Sequence, residues 1–491
     1  NQFTIIRNPQ VVIDEITSKQ TTFTERDIHK VLNRYVDDLE LHQKLVGEIK
    51  SLKSVIALYP GHGSNKQGLY TTKDLIRQEQ RFIAQLTTLH QETGHAVHES
   101  HVRREIDATN QTLSEKHDSG LSSDQLLALK AMVSPDRLVF IEGYAGSGKT
   151  TVVETAANIW KANGYGVVGL APTNKAKEGL KGAGIPAYTV HRFLNSYGKN
   201  RQQFHKDTVL VLDEAGMVDL KRYTGLLNAV AALGVKLVCL GDRGQLSPVE
   251  AGCPFSMASH HYEFTKLTSI IRQRKDWQQA ATQAFGHQQG LQGLQSYFEN
   301  GNIKFVEKTA SADKRANAKT ELVQDWIAFR TENAEKHACI LAHSNKDVAD
   351  LNNRVRSYLR STGELTGKEV TYEIKQMKEG KFGRTRTLST ERTFAVGDQL
   401  VFTGTNKDLG VHNGSMGRIT ALNKSKIQVD VDNKTISFSP NLFKNFDLGW
   451  AMTVYKSQGA TFDEGFVLGS RGLYANLTYV ALTRHRDNVR L

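Results

Sequence analysis

One run constrains this chain more than any other: Gly143-Tyr144-Ala145-Gly146-Ser147-Gly148-Lys149-Thr150, between an apolar segment and a helix-forming one. It fits the pattern G-x-x-x-x-G-K-[ST]. Glycines let consecutive backbone N–H groups wrap around phosphate oxygens, and the helix opening behind them adds positive potential. Gly143, Ala145, Gly146, Ser147 and Gly148 form the cradle, Lys149 reaches the β- and γ-phosphates, and the Thr150 hydroxyl ligates Mg²⁺. Such a loop needs a strand before it and a helix after it. Residues 137–142 and 151–163 read as that strand and helix. Further buried-type runs at 167–171, 208–212 and 235–240, each followed by a Gly-rich or polar loop, predict a parallel sheet covered by helices on both faces.

A loop of this type works with a carboxylate at the end of a neighbouring strand. Val209-Leu210-Val211-Leu212-Asp213-Glu214 supplies one: Asp213 to hold Mg²⁺, and Glu214 to orient or deprotonate an attacking water. After the next strand comes Leu240-Gly241-Asp242-Arg243-Gly244-Gln245, where Gln245 is placed to sense the γ-phosphate. The cofactors expected are therefore ATP and Mg²⁺.

The partner is suggested by charge. The 491 residues carry 63 Lys and Arg against 51 Asp and Glu, a net of +12, which favours a polyanion such as nucleic acid. Hydrophobic residues at 39% and charged residues at 23% exclude global disorder, and the length suits two to four domains. No apolar run is long enough for a bilayer, so no membrane insertion is expected. Cys239, Cys253 and Cys339 are far apart and form no CxxC, which excludes a disulfide scaffold and points to a reducing, cytoplasmic setting.

In their order, these motifs resemble superfamily 1 helicases, and their wording is closest to the RecD-like branch that includes the helicase half of conjugative relaxases. Leu121-Ser122-Ser123-Asp124-Gln125 resembles the segment whose glutamine contacts adenine. Leu170-Ala171-Pro172-Thr173-Asn174 and Thr189-Val190-His191-Arg192-Phe193 resemble strand-binding motifs. Leu267-Thr268-Ser269-Ile270-Ile271-Arg272-Gln273, Thr453-Val454-Tyr455-Lys456-Ser457-Gln458-Gly459 and Tyr479-Val480-Ala481-Leu482-Thr483-Arg484 resemble the fourth, fifth and sixth motifs. The resemblance implies two RecA-like motor cores and 5′ to 3′ tracking on DNA. Arg272 and Arg484 become the cations that neutralise the transferring phosphoryl group, so hydrolysis depends on cleft closure. Pro172, Thr173, His191, Phe193, Thr453, Tyr455, Lys456 and Ser457 become the DNA contacts. Tyr455 stands where the family usually has His, His485 where it usually has Ala, and Asn174 where glycine is common.

The flanks narrow the group. Thr22-Phe23-Thr24-Glu25-Arg26-Asp27-Ile28, Tyr70-Thr71-Thr72-Lys73-Asp74 and Arg272-Gln273-Arg274-Lys275-Asp276-Trp277 resemble TraA-type conjugative relaxases of the Ti-plasmid kind. That implies a helicase for conjugative transfer, acting on single- and double-stranded DNA beside relaxosome and type IV secretion components. The nickase of such a protein would precede Asn1. A RecD-like repair helicase, and a single-strand-binding scaffold with a vestigial motor, are the competing readings.

The expected architecture is α/β. A mostly helical, winged-helix-like unit at 1–117 binds DNA or merely packs. A first core follows at 118–265, a second at 266–362 and 441–491, and a small β-barrel insertion at 363–440. A turn at 60–64, one long helix over 79–116 and strands at 452–455, 466–468 and 479–482 are also predicted. The histidines at 90, 95, 98 and 101 have no Cys or acidic partner to complete a metal site.

Overall fold

The computed structural model describes residues 2–59, 68–117, 119–199, 204–248, 250–306, 314–365, 367–379, 385–406, 408–431 and 434–491. The first core is a six-stranded, wholly parallel sheet. Its order is Ala187–Thr189, Gly166–Ala171, Thr208–Leu212, Lys236–Gly241, Leu138–Gly143, Thr265–Leu267. Every residue of the three central strands is buried, as continuous apolar runs covered on both faces require. Trp160, Val152 and Leu129 pack one face, and Phe82, Tyr223 and Phe255 the other. This order sets the ends of Leu138–Gly143, Lys236–Gly241 and Thr208–Leu212 side by side, so the phosphate loop, Asp242 and Asp213 share one edge. The last strand runs to Leu267, two residues beyond the limit expected at 265.

A second parallel sheet has the order Ala451–Thr453, Ala338–Ala342, Phe462–Val467, His485–Arg490. Two expectations fail here. Residues 452–455 are a strand only as far as Thr453, where a short helix Val454–Ser457 begins with the Thr453 hydroxyl as its cap. Residues 479–482 belong to a helix, Ala475–Leu482, buried from Leu477 to its end. A helix buried on all sides shows no amphipathic period, so its apolar run is indistinguishable from a strand.

Between strands of the second core lie a long hairpin, Val370–Glu379 with Thr385–Phe394, and a five-stranded antiparallel sheet. Asp398, fully buried, fastens this insertion to the second core. It accepts from Arg356 Nε at 2.9 Å, Trp450 Nε1 at 3.3 Å and Ala395 N–H at 2.7 Å.

At the N-terminal end, helix Glu25–Leu32 opens on a reciprocal cap between Thr24 and Asp27. A small antiparallel sheet joins Phe23–Thr24, Leu69–Thr72 and Val55–Tyr59. The turn expected at 60–64 lies outside the described residues. The helix expected over 79–116 is two helices, Lys73–His90 and Glu99–His117. The break is tied to the first core: Gly94 takes φ 141°, Thr93 bridges Asp136, and Arg137 N–H donates to the Glu92 carbonyl at 3.0 Å. His95 is buried with Nε2 3.2 Å from the Lys206 carbonyl, while the His98 and His101 rings meet edge to face. No helix among the described residues is long and apolar enough to cross a membrane.

Candidate nucleotide site between the two cores

The phosphate loop leaves a buried strand and enters helix Lys149–Ala162 through Gly148. Gly146 and Gly148 take φ of 79° and 77°, which disfavours any residue with a Cβ. Space excludes one as well: a Cβ on Gly146 would lie 2.6 Å from Arg272 Cβ, and one on Gly148 2.5 Å from Gln125 Nε2. Lys149 Nζ spans the loop, donating to the Gly143 and Tyr144 carbonyls at 2.6 and 3.1 Å. Ser147 is buried with an unpartnered hydroxyl, and Thr150 is exposed on the first helical turn. Ala145 N–H is taken by the Tyr479 hydroxyl and Ser147 N–H by the Tyr144 carbonyl, and the glycine-rich turn that remains, with its spanning lysine at a helix N-terminus, fits a nucleotide phosphate.

Gln125 is not free to reach outward. Its Oε1 accepts from Ser122 N–H at 3.0 Å as part of a helix cap, and its Nε2 donates to the Ser147 carbonyl at 3.1 Å. Its visible work is to brace the loop. Asp124 beside it accepts from the Thr268 and Ser269 N–H groups at 2.7 and 2.8 Å, tying the same helix to the segment that carries Arg272.

Strand Thr208–Leu212 delivers Asp213 and Glu214. Desolvation and the neighbouring Glu214 charge raise the Asp213 carboxyl to about 6, with Lys149 opposing. A carboxyl in that state gains its charge when a cation joins it, which suits a Mg²⁺ ligand. Glu214 has φ 51°. That conformation costs about 1–2 kcal/mol for a residue with a Cβ and aims the carboxylate at the cleft.

The second core supplies the opposite wall. Arg484 is buried; its Nε donates to the Val480 carbonyl at 3.2 Å and its Nη2 to Gln245 Oε1 at 3.1 Å. Gln245 Nε2 in turn donates to Asp242 Oδ2 at 2.7 Å. Arg272 N–H donates to the Gly146 carbonyl at 3.2 Å, and its Nη1 to the Thr483 carbonyl at 2.8 Å. Desolvation, reinforced by Arg484, lowers Arg272 to about 9, and desolvation also lowers Arg484 and Lys175. Cations held together out of water favour the arrival of an anion. Lys149, Thr150, Asp213, Glu214, Gln245, Arg272 and Arg484 therefore converge on one cleft.

The expected DNA residues divide. Thr173 caps helix Asn174–Gly182, and His191, Tyr455 and Lys456 are exposed, Tyr455 by 49%. Pro172 is half-buried beside Thr173. Two residues do not fit. Phe193 is 0% exposed, packed against Tyr197 and Phe204 in the first core, so it shapes the surface from beneath and cannot stack on a base. Ser457 is equally buried and its hydroxyl is spent on the Val454 carbonyl at 2.7 Å. Thr453 is nearly buried and caps Lys456 N–H.

Sequence reasoning passed over three residues inside motifs that it had quoted: Asp242, Gln458 and Tyr479. Gln458 Nε2 lies 3.4 Å from Glu214 Oε2. Tyr479 contacts both the phosphate loop and Asp242. For Tyr479 the available signal was a hydroxyl at the head of an otherwise apolar, strand-like run, Tyr479-Val480-Ala481-Leu482.

The chain is 34% identical over 497 residues to the conjugal transfer protein TraA of Agrobacterium fabrum, covering 99% of this chain. Over nearly its whole length it is similar to TraA-type, RecD-like proteins. The match covers 42% of that relative, so the chain spans less than half the length of the TraA proteins it resembles. The ATP-dependent RecD2 DNA helicase of Deinococcus radiodurans is 29% identical over 383 residues, 76% of this chain and 49% of that protein. Residues 120–308 match the AAA domain family. Among solved structures, the Pif1 helicase from Bacteroides in complex with ADP-AlF3 and ssDNA aligns with TM-score 0.51 at 20% identity, over 76% of this chain and 92% of that one. Its likeness supports a fold of two RecA-like cores.

Proposed function

We propose that this chain is an ATP-driven DNA helicase, the motor segment of a conjugative relaxase that tracks 5′ to 3′ during transfer. The observation that carries the reading is the meeting of Arg484, from the second core, with Gln245, from the first, beside the phosphate loop. A motor needs such a cleft, because cations arriving from the far wall make hydrolysis depend on closure.

Lys149 and the loop N–H groups hold the phosphates, and Gln245 reads the terminal one. Mg²⁺, held by Thr150 and Asp213, would neutralise phosphate charge. Glu214 orients the water and takes its proton, while Arg272 and Arg484 stabilise charge that grows on the phosphoryl oxygens. Thr173, His191, Tyr455 and Lys456 face the single strand. The five-stranded insertion is a small β-barrel, residues 1–117 form a winged-helix-like unit, and relaxosome and secretion components are the partners. The RecD-like repair reading is the weaker one, since the RecD2 match leaves about a quarter of the chain uncovered where TraA matches nearly all.

Lys149→Ala tests the site. DNA-stimulated ATP turnover is lost while single-strand binding survives, because Lys149 meets the nucleotide and not the strand. Undiminished turnover in the purified variant removes the assignment.

A further inference from the structure

One hydroxyl crosses the cleft twice. Tyr479 lies on helix Ala475–Leu482 of the second core and is 1% exposed. Its hydroxyl accepts from the Ala145 N–H of the phosphate loop at 2.9 Å and donates to Asp242 Oδ2 at 2.8 Å. A phenol has one proton and free lone pairs, so both bonds form together. Asp242 is 3% exposed and also accepts from Gln245 Nε2 at 2.7 Å and Gly244 N–H at 2.9 Å. A buried carboxylate needs all such donors, so losing one loosens the group that holds Gln245.

The ring has a seat prepared for it. A Cβ on Gly244 would lie 2.9 Å from Tyr479 Cε1, so the first core carries glycine where the ring docks. Phe285 stacks on the ring with centroids 5.9 Å apart.

The same helix directs Arg484, whose Nε is bonded to the Val480 carbonyl at 3.2 Å. It is also packed against the short helix Val454–Ser457, which carries the exposed Tyr455 and Lys456. Through Tyr479 and Arg484 this segment of the second core thus grips the first at two places. The Arg484 to Gln245 bond joins two groups that an incoming phosphate will claim. The Tyr479 to Asp242 bond involves neither.

We infer that Tyr479 is a positioning residue, the pin on which the second core closes. It keeps the start of the phosphate loop and the Asp242–Gln245 pair in register with Arg484 while Arg484 changes partners. Strand occupancy beside Tyr455 and phosphate occupancy beside Ala145 then sense each other through one helix. This rests on the assignment of Gln245 and Arg484 to the phosphate given above.

The experiment compares the whole chain with three variants: Tyr479→Phe, Gly244→Ala and Tyr297→Phe. Gly244→Ala pushes on the ring from the other core and decides the matter if Tyr479→Phe does not fold. Tyr297→Phe is the control, since its buried hydroxyl donates to the Leu482 carbonyl at 2.8 Å and holds the same helix without crossing the cleft. Three quantities are read: DNA-stimulated kcat, KM for ATP, and the factor by which a non-hydrolysable ATP analogue changes affinity for oligothymidine. That factor is the coupling between the sites. For Tyr479→Phe and Gly244→Ala, kcat falls about tenfold, the separate ATP and DNA affinities stay within about twofold, and the factor moves to about 1. Tyr297→Phe retains kcat and the factor. An unchanged factor in both cleft variants overturns the pin, as does an equal loss in Tyr297→Phe. A parent chain whose DNA affinity ignores nucleotide overturns the motor reading itself, and the pin with it.

Discussion

His485 shows how one buried side chain carries a pH dependence. It is 1% exposed, lies edge-on to Tyr297, and sits near Arg272. Burial first, then the Arg272 charge, lowers its pKa from 6.5 to about 3. The folded chain therefore keeps His485 neutral where the unfolded chain protonates it. The stability this exclusion supports is intact above pH 6.5 and is lost progressively as pH falls toward 3. At pH 5 the unfolded state gains about 2 kcal/mol from this one proton. His485→Ala removes the linkage and leaves a small cavity. The expected result is lower stability at pH 7 but a smaller drop between pH 7 and pH 5 than the parent shows, measured by urea denaturation at both. Equal drops would place the acid sensitivity elsewhere.

At the scale of elements, legibility followed patterning. The strands of the first core could be read because each is a short apolar run closed by a polar loop, and Thr208–Leu212 falls where expected. Helix Ala475–Leu482 could not, because burial on every side erases the period that separates helix from strand. The break before Glu99 was hidden because its cause is tertiary, the bridge from Thr93 to Asp136. The join between insertion and second core was equally invisible, since Arg356, Asp398 and Trp450 are far apart in sequence. That join yields a prediction. Asp398→Ala leaves Arg356 with only the partly exposed Glu369, 3.0 Å away, and orphans the Trp450 and Ala395 donors. Losing one partner of a buried pair costs about 3–5 kcal/mol. Limited proteolysis should cut earlier between 362 and 370 while nucleotide binding persists. An unchanged cleavage pattern would mean that the insertion is held by its other contacts.

Across the whole molecule, the residues that line the candidate nucleotide cleft could be named from the sequence, because a phosphate cradle needs consecutive residues of fixed type. The proposed DNA face fits the motif positions only in part. Phe193 and Ser457 occupy motif positions yet are buried, and burial is not written in a motif. The residues still proposed to face a strand are Thr173, His191, Tyr455 and Lys456, of which Lys456 is the one lysine. That composition makes a quantitative expectation. On single strands, log affinity falls against log salt by about 0.7 for each phosphate neutralised, whereas stacking contributes about 1–3 kcal/mol per base without releasing counterions. Lys456→Ala should therefore flatten the salt slope by about 0.7 and weaken oligothymidine and oligoadenosine alike. Tyr455→Ala should weaken binding at every salt concentration and leave the slope unchanged. Because the two residues are neighbours on one short helix, the departure of the double variant from additivity measures how far they act together. A parent titration that is flat between about 50 and 200 mM salt would exclude a phosphate-tracking groove. A slope that moves with Tyr455 and not with Lys456 would mean that the ammonium faces away from the strand, and that the cations following the backbone lie elsewhere on the +12 surface.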